Sequence, residues 1–375
     1  MDKVSTDRNY SRRAFGKFAG LIAGGAGISF YSEHALAQSS LSDVGPIPAD
    51  AVKINANENP LGPCPQALDE LHRVAQNGGR YQYEETFRFV DLLASQEGLK
   101  SSYVIPYAGS SDPLHRAVLA YTSPARSFVA GDPGYEAGYR SAAFAGARTI
   151  KVPLSKSHAH DVKAMVASDP DAGLYYVCNP NNPTGTVTSR SDIEWLLTNK
   201  PKGSVLLLDE AYLHFSNEET ASSLVAAGKD LIILRTFSKL YGIAGLRAGA
   251  AFGRPDLLEK LRGYGGGALP VTGMAAAMAS LQVKTLVAKR RGLVGKVRDD
   301  VFAFLHKHSI DFVPSCSNCF MLNAKRPAAE YIKSMQEEKV YVGRVWPAWP
   351  TYCRITIGTA AEMAKFKQAT LKALA

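Results

Sequence analysis

Between residues 99 and 265 the chain repeats one rhythm: a short apolar run, a cluster of small and polar residues, then an amphipathic stretch. The runs are "YVIPYA", "SFVAGD", "GLYYVCNP", "SVLLLDE" and "DLIILRT". Helix-like segments such as "SDPLHRAVLAYT", "YEAGYRSAAFAG" and "RSDIEWLLTN" lie between them. Strands that alternate with helices imply βαβ units around a mostly parallel central sheet, with helices on both faces. Near residue 265 the rhythm changes. "GYGGGALP" precedes one long helical stretch over about 271–308. Then come "DFVP", "FMLNA", a helix near 327–338, "VYVGR", "CRITIG" and a C-terminal helix from 360. The expected organisation is α/β: a large domain over 76–265, a smaller α/β domain over 266–375, and an N-terminal arm over 45–75 that joins the smaller one.

Residues 1–37 stand outside this pattern. A polar start leads to Arg12-Arg13, then Phe15, Lys17 and the weakly apolar "LIAGGAGISF", and Ala35 and Ala37 in "ALAQ" are set as at a processing site. That order marks a secretory signal, and the arginine pair resembles the twin-arginine export signal of bacteria. The apolar part is well short of the ~20 residues of a membrane span. The expectation is therefore export by the twin-arginine machinery to the periplasm, with no stable span after processing. The formal charge of +9 is scattered, without a basic run or an aromatic-interleaved stripe. It reads as affinity for small anions and not as a nucleic-acid surface. Five cysteines are too few and too odd for a disulfide framework. "CSNC" at 316–319 has C-x-x-C spacing, but no second pair or nearby His completes it, so no metal is expected.

In an open α/β sheet, ligand chemistry gathers at the carboxyl ends of the strands. Here those ends read "AGSSD", "GDPGY", "CNPNNPTG", "DEAY" and "TFSK". Lys239 follows an apolar run and stands among Thr236 and Ser238, with Arg247 eight places on. Hydroxyls and an arginine around an amine suggest a phosphate held beside a nucleophile, the arrangement of pyridoxal phosphate enzymes. The remaining parts can be sought by chemistry. Asp209 closes "VLLLD" and could keep a pyridine nitrogen protonated. Asn182 and Tyr212 offer donors to the ring 3-oxygen. Tyr135 could cover a ring face, and Ser110 with its following amides could hold phosphate where a helix opens.

With these residues in view, the chain resembles the fold-type I pyridoxal phosphate-dependent aminotransferases, and most of all the histidinol-phosphate aminotransferase group. "NANENPLGP" at 55–63, "RYQ" at 80–82, "PNNPTG", "DEAY", "TFSK" with "AGLR", and "CRITIG" follow in family order over nearly all of 50–375. The resemblance implies a fold-type I transferase with pyridoxal 5′-phosphate as cofactor. Lys239 would carry the cofactor and move the proton, with Asp209 at the ring nitrogen, Asn182 and Tyr212 at the 3-oxygen, and Tyr135 on the ring. Ser110, Ser111, Thr236, Ser238 and Arg247 would form the phosphate cup. Tyr81 would reach the phosphate of a partner subunit, which implies a homodimer. Arg354 would grip the substrate α-carboxylate as a fork, with Asn57 and Arg344 also on the substrate side. Some positions depart from the group. Gln82 replaces a usual proline, "GSSD" stands where Gly-Ala-Asp-Glu or Gly-Ser-Gly-Glu is commoner, and "VGRVWPAWP" at 342–350 is aromatic where a polar loop is usual. Trp346 and Trp349 beside Arg344 imply a different side-chain pocket.

The activity expected is transamination between an amino acid or amine-bearing metabolite and a 2-oxo acid. Two other readings use the same cofactor: a decarboxylase or lyase, and a cytoplasmic-type histidinol-phosphate aminotransferase. Arg354 favours transamination over decarboxylation because a gripped carboxylate is kept. The export signal is out of place in histidine biosynthesis. A cofactor-binding regulator would usually add a DNA-binding segment, and the intact Lys239, Asp209 and Tyr212 argue against a dead enzyme.

Overall fold

The computed structural model describes Leu36, residues 47–265 and residues 267–375. The expected export signal, residues 1–37, lies outside them apart from Leu36. In chain order the elements begin with β1 (Val52–Ile54), α1 (Pro65–Ala75), α2 (Tyr83–Glu97), β2 (Val104–Tyr107), α3 (Ser111–Tyr121) and β3 (Ser127–Asp132). Next are α4 (Ala137–Phe144), β4 (Thr149–Pro153), α5 (Val162–Ala167), β5 (Ala172–Cys178), α6 (Arg190–Asn199) and β6 (Val205–Asp209). Then come α7 (Ser222–Ala226), β7 (Leu231–Thr236), β8 (Gly249–Gly253), α8 (Pro255–Arg262), α9 (Val271–Gln282) and α10 (Leu286–Lys307). The chain ends with β9 (Phe312–Val313), β10 (Cys319–Asn323), α11 (Ala328–Glu337), β11 (Val340–Val342), β12 (Val345–Trp346), β13 (Trp349–Thr356) and α12 (Ala360–Leu374).

The central sheet has seven strands in the order β2-β8-β7-β6-β5-β3-β4. All run the same way except β8, which pairs antiparallel with both β2 and β7. The five apolar runs of the sequence are β2, β3, β5, β6 and β7. Every residue of β5, β6 and β7 is buried, as expected where helices cover both faces of a parallel sheet. Burying each Leu, Ile or Val there contributes about 1.5–3 kcal/mol. Register sets Cys178 beside Asp209 and Asp209 beside Leu234, so the C-terminal ends of β5, β6 and β7 open together.

Two elements escaped the sequence rhythm. β8, "GAAFG", has no β-branched residue, and β4, "TIKVP", lies at the sheet edge. The single helix expected over about 271–308 is two helices, α9 and α10, bent by 89°. α9 packs on α1 and α2, and α10 leaves in another direction to meet α12 and the turn at 213–215. The rest of the chain forms a four-stranded antiparallel sheet, β12-β13-β10-β9, and a parallel pair in which β1 lies beside β11. α12 starts with a capping box, Thr359 to the Glu362 amide and Glu362 back to the Thr359 amide. No single helix among the described residues is long and apolar enough to cross a membrane.

Candidate active site

A cavity of about 350 Å³ opens at the C-terminal ends of the parallel strands. It is lined by Ser110, Ser111, Tyr135, Asn182, Asp209, Tyr212, Thr236, Ser238, Lys239 and Arg247, which come from the ends of β2, β3, β5, β6 and β7 or the turns after them. Residues far apart in sequence meet there because β2, β3, β5, β6 and β7 all point the same way.

The turn from β2 into α3 and the end of β7 form a cationic, hydroxyl-rich cup. Arg247 donates from Nη1 to the Ser238 hydroxyl at 3.1 Å and to the Ala244 carbonyl at 2.8 Å. Its Nη2 donates to the Ala108 carbonyl at 2.9 Å. Among the described residues Arg247 makes no ion pair, and partial burial lowers its pKa from the ordinary arginine value. The Thr236 hydroxyl donates to Ser238 Oγ at 2.9 Å and accepts from the Ser238 amide at 3.1 Å. Ser110 is the N-cap of α3 but does not cap it with its side chain. The helix N-terminus therefore presents amides toward the cup.

A second cluster is built around a buried carboxylate, Asp209. The Asp209 carboxylate accepts from the Tyr176 hydroxyl at 3.0 Å and from the Ala211 amide at 3.1 Å. Burial raises its pKa to about 6, against those hydrogen bonds and the Lys239 charge. Lys239 Nζ donates to the Ala56 carbonyl at 3.4 Å and lies 5.7 Å from the centre of the Tyr212 ring. Asn57, fully buried and in a left-handed conformation (φ 52°), donates from Nδ2 to the Tyr212 hydroxyl at 3.0 Å. The Arg354 side chain is also fully buried. It donates from Nη1 to Asn182 Oδ1 at 2.9 Å and from Nη2 to the Asn55 carbonyl at 2.5 Å. Asn57 and Arg354 thus adjoin the cavity through Tyr212 and Asn182.

Two expected residues stand apart. Tyr81 is 67% exposed and lines a separate groove with Tyr83, Phe87 and Tyr107. Arg344 is ion-paired with Glu136 at 2.7 Å, and Glu136 follows the cavity residue Tyr135. Sequence reasoning missed Glu58 and Cys178 at the cavity, Tyr176 behind Asp209, and Glu136 beside the cavity. Tyr176 carried a signal, a second tyrosine in an otherwise apolar run whose hydroxyl needs a buried partner. No disulfide and no cluster of metal-ligating side chains occurs among the described residues.

The donor set fits pyridoxal phosphate: a half-buried guanidinium with no counterion among the described residues suits the phosphate, a buried carboxylate suits a protonated ring nitrogen, and an amine suits the aldehyde. The sequence matches the family described as aminotransferase class I and II over residues 49–369. It is 31% identical over 334 residues to a histidinol-phosphate aminotransferase of Moorella thermoacetica, spanning 87% of this chain and 86% of that one. An aromatic amino acid aminotransferase of Rhodococcus jostii is 32% identical over 320 residues, 83% of this chain and 87% of that one. The fold is similar to that of histidinol-phosphate aminotransferase from Sinorhizobium meliloti in complex with pyridoxal-5′-phosphate. That likeness has a TM-score of 0.83 at 23% identity and covers 97% of this chain and 99% of that one.

Proposed function

This chain belongs to the class I and II aminotransferases, and we propose that its strand-end cavity is the site at which it performs pyridoxal 5′-phosphate-dependent transamination. It moves an amino group between an amino acid or amine-bearing metabolite and a 2-oxo acid. The observation that carries this reading is the convergence of Lys239, Asp209, Tyr212, Asn182 and Arg247 on one cavity. When bound, the cofactor supplies a ring that accepts the electrons left at substrate Cα. Arg247, Ser238, Thr236 and the Ser110–Ser111 turn hold its phosphate. Asp209 would keep the ring nitrogen protonated, Asn182 and Tyr212 would hold the 3-oxygen, and Tyr135 would cover a ring face. Lys239 Nζ would hold the cofactor through its aldehyde carbon, and its amine would carry the proton of substrate Cα. Arg354 holds the α-carboxylate, and Asn57 holds the Tyr212 hydroxyl in place.

Two finer features belong to the same reading. The enzyme is a homodimer in which Tyr81 serves the partner's phosphate cup, supported by the exposure of Tyr81, Tyr83 and Phe87 at 67%, 64% and 70%. Residues 1–37 are a twin-arginine signal that delivers it to the periplasm, which removes histidine biosynthesis from the candidate pathways. One pair of variants tests the site. Wild-type protein with pyridoxal phosphate is expected to turn yellow, and borohydride should fix the cofactor to the peptide bearing Lys239. Lys239→Ala should take up no cofactor on borohydride reduction and lose at least ~10²-fold in turnover. Mixing Tyr81→Ala chains with Lys239→Ala chains should regenerate activity that neither has alone. A colourless wild type overturns the cofactor site, and a mixture as inactive as its parents overturns the shared one.

A further inference from the structure

We propose that Glu136 sets the side-chain specificity of this site by neutralising Arg344, so that it takes amino acids and 2-oxo acids with uncharged side chains and rejects acidic or phosphorylated ones. The inference rests on the transaminase reading above. Arg344 Nη2 donates to Glu136 Oε2 at 2.7 Å, and the two side chains are only 10% and 21% exposed. The Arg344 guanidinium lies 4.2 Å from the centre of the Trp346 ring. Trp346 is fully buried, and its indole N–H donates to the Gly134 carbonyl at 3.0 Å, one residue before Tyr135. The Arg354 guanidinium lies 5.3 Å from the same ring. One indole therefore adjoins both the arginine assigned to the α-carboxylate and the Glu136–Arg344 pair.

The substrate side chain leaves the same Cα as the carboxylate held by Arg354, so it approaches this indole and this pair. An anionic side chain has two ways to be received there. It can displace Glu136 from Arg344, which leaves a shielded carboxylate without its cation, or it can stand beside Glu136 as a like charge. A neutral side chain meets neither penalty, and an aromatic one can lie against apolar ring surface. Specificity of this kind comes from what is rejected as much as from what is held. Both half-reactions use one site, so the restriction covers the amino acceptor too.

The test is equilibrium binding of two amine-free probes to the holoenzyme, glutarate and 3-phenylpropanoate, followed by tryptophan fluorescence and calorimetry. Wild type is expected to bind 3-phenylpropanoate at least tenfold more tightly, a difference of about 1.4 kcal/mol. Glu136→Gln should shift that ratio at least tenfold toward glutarate, and adding Arg344→Gln to the same chain should cancel the shift. Wild type that binds glutarate as tightly as 3-phenylpropanoate overturns the proposal, and so does an unchanged ratio in Glu136→Gln. If Glu136→Gln does not fold, Glu136→Ala takes its place, with the same shift expected and an unchanged ratio again overturning the proposal. Amino transfer from phenylalanine to pyruvate is measured alongside. Its absence with every amino acid tried would count against the transaminase reading, while the probe ratio still decides the role of Glu136.

Discussion

Asp209 is a carboxylate at the end of a strand whose five residues are all buried. Without a cationic ring beside it, burial lifts its pKa from the ordinary carboxylate value to about 6. The folded protein therefore holds this proton more tightly than the unfolded chain does. The stabilising contribution is full below about pH 4 and is lost as pH rises through about 6. In cofactor-free protein at pH 7, Asp209→Asn is expected to be more stable than wild type by about 1–3 kcal/mol. Near pH 4 the two should agree, and urea unfolding at both pH values checks this. With pyridoxal phosphate added, the charge gains its cation and the variant should bind cofactor less tightly than wild type. If cofactor-free Asp209→Asn is the less stable protein at pH 7, the Tyr176 and Ala211 hydrogen bonds already compensate the buried charge.

At the scale of elements, the site depends on how closely the β2–α3 turn approaches the loop after β7. Gly109 has φ +94°, and a Cβ there would lie 2.2 Å from Arg247 Nη2. Gly109→Ala must therefore move the guanidinium proposed to hold the phosphate. Losing one charge-assisted hydrogen bond costs about 1.5–3 kcal/mol, so cofactor affinity should fall by roughly 10–100-fold. Unphosphorylated pyridoxal should bind the variant as it binds wild type; equal weakening of both ligands would show a general disruption instead. The sequence made these strand ends legible because five of the sheet strands are continuous apolar runs that stop at polar, glycine-rich turns. β8 was hidden because its residues are small for a different reason: a Cβ at Gly249 would meet the Gly109 backbone at 2.6 Å. The break at 283–285 carries no Pro or Gly, so nothing local announces it, and only the packing of α9 on α1 and α2 makes the chain turn. The Glu136–Arg344 pair spans 208 positions, a distance over which charge pattern gives no sign of pairing.

The molecule as a whole has a site that does not exist in the unfolded chain. Arg354 reaches the Asn55 carbonyl across 299 positions and Asn182 across 172, and Lys239 reaches Ala56 across 183. Such contacts form only when the sheet, the arm and the C-terminal strands are assembled. Phosphorylated cofactor is made in the cytoplasm, so export of an unfolded chain would deliver an empty enzyme to a compartment short of it. Export after folding removes that difficulty, and it is the route proposed above for a chain that carries Arg12-Arg13. Replacing both arginines by lysine is therefore expected to leave active, cofactor-loaded enzyme in the cytoplasm with residues 1–37 attached. Wild-type cells should hold the activity in the periplasm, with the mature chain beginning after Ala37. Fractionation followed by mass measurement of the N-terminus checks both. Wild-type activity confined to the cytoplasm on an unprocessed chain would overturn the export proposal and bring histidine biosynthesis back as the leading pathway.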